Sequence, residues 1–170
     1  MALARRTFLL TALSSCLITT GCGFHLRGRV NLPVKTMYVN MPKNNKMAAD
    51  IRRMLTAGTN VMLVDNAKEA EAILELINSN RQRHELSYNM EGDVREYELT
   101  LQLTFRLTDP NGNEFFPPTT FASSRNMYYN DEDYLTRNAE ESLLYNEMQQ
   151  DLISQLLNRI STIEPIPNEY

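Results

Sequence analysis

The sequence YELTLQLTFRLT at residues 97–108 alternates apolar and polar side chains without a break. Its odd-numbered positions are all apolar: Tyr97, Leu99, Leu101, Leu103, Phe105 and Leu107. Successive side chains of a β-strand point to opposite faces, so this pattern predicts a long strand with one buried face and one solvated face. A sheet that is apolar on one side needs a second layer to cover that side.

The residues that follow this strand predict its partner. Asp109, Pro110, Asn111 and Gly112 form a typical turn sequence. We therefore expect the next run, at residues 119–129, to return antiparallel beside the strand and complete a hairpin.

Two helices are predicted to cover the sheet. The first is expected around Met47 to Leu55, with Gly58 at the position of a C-terminal cap. The second is expected to begin at Asp131 and to be long and amphipathic. Its apolar stripe is formed by Leu135, Ala139, Leu143, Met148, Leu152, Leu156, Ile160 and Ile163.

Shorter strands are expected at residues 36–41 and 73–82, with a third strand-like run at 61–64. The resulting order is strand, helix, strands, helix. This order predicts the α+β fold class, in the form of a two-layer sandwich. A roughly four-stranded mixed sheet would carry both helices packed on one of its faces.

The N-terminus has the anatomy of a secretory signal peptide. Arg5 and Arg6 provide a short positive region, and an apolar run follows at residues 8–18. A membrane-spanning helix needs about 20 apolar residues. The run is therefore too short to cross a bilayer.

The cysteine at the end of this segment predicts a lipid anchor. Gly21 followed by Cys22 resembles a bacterial lipobox, in which the thiol takes a diacylglycerol, the signal is cut before the cysteine and the new amine is acylated. We expect Cys22 to become an N-palmitoyl, S-diacylglycerol cysteine. A lipobox ending at Cys16 is the alternative. Gly23 is not Asp, which favours sorting to the outer membrane.

Cleavage before Cys22 leaves 149 of the 170 residues, the length of one domain. We expect a signal peptide at 1–21, a lipid-anchored linker at 22–34, an α+β domain at 35–163 and a C-terminal tail at 164–170. The signal removes two of the 17 basic residues and none of the 21 acidic ones, which leaves a net charge of -6. A basic surface for nucleic acid is absent from this composition, so we expect no nucleic-acid partner.

The sequence offers little for catalysis. His25 and His84 lie far apart, and neither has metal-ligand spacing around it. Neither a nucleophile elbow nor a glycine-rich phosphate loop is present. We therefore expect no catalytic residues, no metal and no cofactor.

Four arginines are candidates for binding an anionic ligand, because the guanidinium fork matches phosphate and its stem packs against apolar chains. Arg81 and Arg83 are two residues apart and would share a face if their strand extends that far. Arg125 lies on the last strand, and Arg137 lies near the start of the long helix. The open alternative is that all four are solvated partners of the many acidic side chains.

The run GCGFHLRG at residues 21–28, followed by this order of strands and helices, resembles the LptE family of lipopolysaccharide-assembly lipoproteins from Gram-negative bacteria. The resemblance implies a lipoprotein that is no enzyme and lies on the periplasmic side of the outer membrane, held by its acylated Cys22. It would plug the large β-barrel of the lipopolysaccharide translocon and help that barrel assemble. It would also bind lipopolysaccharide and help deliver it to the cell surface.

The resemblance also implies basic residues near the start of the second long helix and at the entry to the hairpin. Arg137 matches the first position, and Met90 with Glu91 beside it falls at the second. Arg125, Arg81 and Arg83 complete the predicted lipopolysaccharide-binding set. A stand-alone periplasmic envelope lipoprotein, an enzyme or a sensing module of similar layout, is the competing hypothesis.

Overall fold

A computed structural model describes residues 30–128 and 134–163, and it describes side chains at 30–128 and 138–163. The predicted signal peptide, Cys22 and Cys16 lie outside the described residues, as does the predicted tail at 164–170. The predicted helix start at Asp131 and the side chains of Leu135 and Arg137 also lie outside them.

The described chain forms one mixed sheet and two helices. In chain order the elements are β1 (Thr36–Asn40), α1 (Lys46–Gly58), β2 (Met62–Leu63), a 3-10 turn (Ala67–Glu69), β3 (Ala72–Tyr88), β4 (Val94–Thr108), β5 (Glu114–Tyr128) and α2 (Tyr134–Ser161). The sheet order is β2-β1-β3-β4-β5. The predicted α+β class is confirmed, but the sheet has five strands rather than about four, because the two-residue β2 pairs with β1.

Strand direction divides the sheet into two parts. β1 runs parallel to β2 and to β3, and α1 makes the crossover from β1 to β2. β3, β4 and β5 pair antiparallel in sequence order. The hairpin predicted from the turn after Thr108 is therefore present, and β4 is paired along both of its edges.

The alternation in β4 is confirmed by burial. Leu99, Leu101, Leu103 and Phe105 are fully buried, and Leu107 is nearly so. The intervening polar side chains lie on the opposite face of the sheet. Within the described residues no helix covers that face, so it is polar and open to water.

Strands β3 and β5 are both longer than the ranges predicted from the sequence. β3 continues to Tyr88 although residues 78–85 are polar on both faces. β5 begins at Glu114 and contains Pro117 and Pro118, which it tolerates because it is an edge strand with an irregular register near those prolines.

Helix α1 packs Ile51 and Leu55 into the core, where both are fully buried. The prediction that Gly58 caps its C-terminus is wrong, because Gly58 is the last helical residue and does not adopt a positive φ. Thr59 is the cap instead. Its backbone N–H and its hydroxyl both donate to the Leu55 carbonyl, at 3.1 and 2.6 Å.

Helix α2 follows the predicted stripe only after its first turns. Its buried apolar side chains are Tyr145, Met148, Leu152, Ile153, Leu156, Leu157 and Ile160. Ala139 and Leu143 are exposed, contrary to the prediction. The described first turns of α2 lie beside the polar outer half of β3, where no apolar core is available to bury them.

One buried polar contact joins the two helices. Gln149, which is 3% exposed, donates from Nε2 to Asp50 Oδ2 at 2.9 Å. The other carboxylate oxygen of Asp50 accepts from Arg53 at 2.6 Å. Both oxygens of the buried carboxylate are therefore satisfied, as burial of a charge requires.

The described chain is packed against the domain from its first residue, Val30, which lies upstream of residue 35. The Val30 N–H donates to the Gly58 carbonyl at 2.7 Å, and Val30 bridges to Thr59. Leu32 and Val34 are both buried in the core.

Neither described helix is long and apolar enough to cross a bilayer.

Candidate functional site

Arg81 and Arg83 lie side by side on the helix-facing side of β3. Arg81 pairs with Leu101 of β4, and Arg83 pairs with Leu99. Directly opposed residues point to the same face, and both leucines face the helices, so the two arginines do so as well. β3 extends beyond the predicted residue 82, and this extension carries Arg83 onto the face that Arg81 occupies.

The early turns of α2 form the second wall of a groove beside these arginines. The groove measures about 580 Å³ and is lined by Arg81, Arg83, Asn138, Glu141, Ser142 and Tyr145. We call it the arginine groove. It combines two guanidinium groups with polar helix side chains and one aromatic ring.

Tyr145 holds the floor of the groove in place. Its side chain is buried, and its hydroxyl donates to the Gln82 carbonyl at 2.8 Å. Burial and the nearby Glu141 carboxylate raise the pKa of the Tyr145 phenol, while Arg81 and Arg83 partly oppose the rise. The phenol is therefore neutral at physiological pH and keeps its hydrogen bond to the strand.

Arg81 lies over the ring of Tyr145. Its guanidinium carbon is 4.9 Å from the ring centroid, a cation–π distance. No ion pair joins Arg81 to an acidic side chain within residues 30–128 and 138–163. The Arg81 guanidinium therefore rests on an aromatic ring, and no carboxylate among the described residues forms an ion pair with it.

Arg83 is partly neutralised. Its Nη1 is 3.1 Å from Glu141 Oε2 on α2, and its guanidinium carbon is 4.9 Å from the centroid of the Tyr97 ring. Half of the Arg83 side chain is exposed. Exposed ion pairs of this kind contribute about 0–1 kcal/mol, so an incoming anion can compete with Glu141 for Arg83.

Of the remaining predicted arginines, Arg125 does not line this groove. Arg125 pairs with Leu99 from β5, so β4 separates it from Arg83, and it forms an ion pair with Asp151 at 2.9 Å. Position 137 precedes Glu141 by about one helical turn, but the Arg137 side chain lies outside the described residues.

The hairpin between β3 and β4 carries exposed apolar side chains near its tip. Met90 is 100% exposed, and Tyr88 and Leu86 are also exposed. Five residues of strand separate Arg83 from Tyr88, so the tip lies more than about 15 Å from the arginine groove.

Sequence reasoning missed the helix side of the groove. Glu141 and Tyr145 have i, i+4 spacing, which places them on one face of α2. That spacing could have indicated a shared face, but it does not reveal that this face meets β3. Within the described ranges no group of three His, Cys, Asp or Glu side chains is placed to hold a metal ion.

Similar solved structures define the class of the fold. The solution structure of uncharacterized lipoprotein B from Nitrosomonas europaea has 32% sequence identity and a TM-score of 0.69, over 82% of this chain and 90% of that chain. The crystal structure of a minor lipoprotein from Acinetobacter baumannii has 26% identity and a TM-score of 0.61, over 75% of this chain and 90% of that chain. The class is thus a bacterial lipoprotein domain.

Sequence comparison identifies the family within that class. The family model described as LptE, lipopolysaccharide-assembly, matches residues 34–160. The LPS-assembly lipoprotein LptE of Photorhabdus laumondii is 25% identical, over 86% of this chain and 81% of that protein. The LptE of Pectobacterium atrosepticum is 27% identical, over 93% of this chain and 86% of that protein. The chain belongs to the LptE family, which confirms the resemblance found in its sequence.

Proposed function

We propose that the protein is an outer-membrane lipoprotein subunit of the lipopolysaccharide translocon and that it binds lipopolysaccharide in the arginine groove. The placement of Arg81 carries this proposal. Its guanidinium lies on the Tyr145 ring, next to Arg83 and without a described acidic partner. Such an arrangement suits an anionic ligand, whose phosphate matches the guanidinium fork.

Lipopolysaccharide combines phosphate groups with sugars and acyl chains, and the groove offers partners for the phosphates and the sugars. The two arginines present cations, while Asn138 and Ser142 present polar groups. The buried ring of Tyr145 supports Arg81 from below. Arg137 extends this site toward the start of α2 in the proposal, whereas Arg125 contacts Asp151 and is left outside it.

The open face of the sheet supports the proposed place inside a large outer-membrane β-barrel. That face carries Thr100, Gln102, Thr104 and Thr120, with the last two hydroxyls 2.8 Å apart. The lumens of such barrels are polar, so a polar plug surface is compatible with them. In this proposal the domain fills the barrel of the translocon and helps it assemble.

The proposed anchor is the acylated Cys22, with the signal peptide at 1–21 removed. Three acyl chains hold a protein far more firmly than one, since each buried methylene contributes about 0.8 kcal/mol. Cys22→Ala is expected to leave a folded domain without acylation. Mass spectrometry of the mature N-terminus tests the assignment, and a mature chain that begins at Cys16 would refute it.

The test of the groove compares two arginines on the same sheet face. In the chain from residue 22 onward, with Cys22→Ser, Arg81→Gln should weaken binding of purified lipopolysaccharide about tenfold, the size expected for one charged hydrogen-bonding partner. Arg125→Gln is the matched control and should change binding less than about twofold. Arg137→Gln reports whether the site extends to the helix start. Equal losses for Arg81→Gln and Arg125→Gln would contradict the assignment.

Co-purification separates this proposal from a stand-alone periplasmic lipoprotein. A translocon subunit should leave the membrane in mild detergent bound to one large barrel protein. A stand-alone enzyme or sensing module should be extracted alone. The LptE family match favours the first outcome.

A further inference from the structure

A second groove lies between the C-terminal parts of the two helices, away from the arginines. It measures about 310 Å³ and is lined by Val30, Met54, Ala57, Gly58, Ser154, Leu157 and Asn158. Four of these residues have apolar side chains, and Ser154 and Asn158 are polar. We call it the interhelical groove.

The N-terminal part of the chain reaches the described domain at this groove. Val30 both lines the groove and is fixed to the end of α1, through its N–H bond to the Gly58 carbonyl at 2.7 Å. The parallel bridge from Val30 to Thr59 cannot continue upstream as sheet, because the residues before Thr59 are helical. Val30 therefore fixes the point at which the upstream chain joins the rim of the groove.

The sequence just upstream of Val30 has the pattern of a segment with one apolar side. In FHLRGRV, residues 24–30, the apolar Phe24, Leu26 and Val30 fall on even positions, with Gly28 between them. The odd positions are His25, Arg27 and Arg29. In an extended chain the even positions share one face, so the face that carries Val30 also carries Leu26 and Phe24.

We propose that residues 24–29 cover the interhelical groove in an extended conformation, with Leu26 and Phe24 against Met54, Ala57 and Leu157. Leu26 lies about 13 Å along an extended chain from Val30, which keeps it within reach of the helix pair. Burying both apolar side chains removes apolar surface of the segment and of the groove from water. His25, Arg27 and Arg29 remain on the solvent side.

This contact has a consequence for the anchor. Cys22 is two residues before Phe24, so the docked segment holds the acylation site near the C-terminal ends of both helices. The lipid then fixes the orientation of the domain relative to the membrane as well as its location. A free linker would fix location alone.

Methyl NMR tests the contact directly. The protein is the chain from residue 22 onward with Cys22→Ser, labelled at the Leu and Met methyl groups. We expect nuclear Overhauser cross-peaks between the Leu26 methyls and the Met54 methyl. Ala57→Asp, which places a charge in the groove, should remove these cross-peaks while those among the core leucines Leu99 and Leu101 persist.

Matched variants make the test specific. Thr56→Asp, an exposed neighbour on α1 outside the groove lining, should leave the Leu26–Met54 cross-peaks in place. His25→Ser should also leave them. Absence of the cross-peaks in a folded chain, or their survival in Ala57→Asp, overturns the proposal. Contact of Met54 with the acyl chain of added dodecylphosphocholine, with Leu26 remaining free, would also overturn it and assign the groove to an external lipid.

Discussion

Glu141 sets how much positive charge the arginine groove presents. It faces Arg83 at 3.1 Å, and its carboxylate contributes to the raised pKa of Tyr145. Arg81 has Tyr145 rather than a described acid as its neighbour. Arg81 can therefore bind an anion directly, whereas Arg83 can bind one only after it releases Glu141.

Replacing that carboxylate should strengthen lipopolysaccharide binding. We expect Glu141→Gln to raise the affinity about threefold at low salt, because it removes a competitor that contributes no more than about 1 kcal/mol. The gain should shrink as salt rises, since screening weakens the added attraction. Isothermal titration calorimetry at two salt concentrations measures both effects.

Glu147→Gln provides the control for Glu141→Gln. Glu147 is exposed on the same helix but does not line the groove, and its loss changes the net charge by the same amount. An equal gain for Glu147→Gln would mean that long-range charge, rather than release of Arg83, sets the affinity.

At the scale of elements, β4 is the strand whose two faces differ most. Leu101→Ala should lower the free energy of unfolding by about 2–5 kcal/mol, because it leaves a cavity at a fully buried position. Gln102→Ala, one residue along and on the open face, should lower it by less than about 1 kcal/mol. Urea denaturation measures both, and equal losses would mean that the buried face is misassigned.

The turn between β4 and β5 depends on one carboxylate. Asp109 accepts hydrogen bonds from the backbone amides of Asn111 and Asn113, each at 2.8 Å, and from the Asn113 side chain at 2.8 Å. Slight burial acts to raise the pKa of Asp109, but the hydrogen bonds from Asn113 and Asn111 outweigh it and lower the pKa. Gly112 completes the turn with φ 91°, which glycine adopts readily.

The stability contributed by Asp109 should therefore be lost in acid. Its folded pKa lies below the unfolded value of about 3.9, so the contribution is complete above that value and disappears as the pH falls through the lower, folded pKa. The stability difference between the wild type and Asp109→Asn should shrink from about pH 5 to about pH 2. Thermal denaturation at several pH values measures the difference, and a constant difference would contradict the assignment.

The sequence predicted the elements whose two faces differ in polarity. β4 and the later turns of α2 have one apolar face, and their burial follows from periodicity. Residues 78–85 of β3 are polar on both faces because they extend past the core, so periodicity could not find the end of the strand at Tyr88. Periodicity also predicts Ala139 and Leu143 in the apolar stripe of α2, because it cannot show where along the helix the core ends.

The sequence predicted the strand side of the candidate site but not its helix side. The two-residue spacing of Arg81 and Arg83 predicted their shared face. Glu141 and Tyr145 enter the site because α2 crosses the hairpin, which is a tertiary arrangement without a local sequence signal. The structure pairs Glu141 with Arg83 across 58 positions, a contact that no local spacing indicates.

At the scale of the whole molecule, a hydrogen bond joins the two helices through Gln149 and Asp50, which lie 99 positions apart in the sequence. We expect Gln149→Ala to destabilise the fold by about 1–3 kcal/mol, because it leaves one oxygen of a buried carboxylate without its donor. Gln150→Ala, at the next and exposed position, should change the stability by less than about 0.5 kcal/mol. Chemical denaturation compares them, and similar values for the two would show that the interhelical bond contributes nothing.

The position of α2 at the end of the chain has a consequence for biosynthesis. The apolar row of β4 is complete at Thr108, whereas the helix that packs against it ends about 50 residues later, at Ser161. Ribosomes add about 5–20 residues per second, so several seconds separate the two events. During that interval the nascent chain displays an uncovered apolar surface beside a strand edge, which is prone to aggregation. The apolar face of the sheet can therefore be covered only after the last helix has been made.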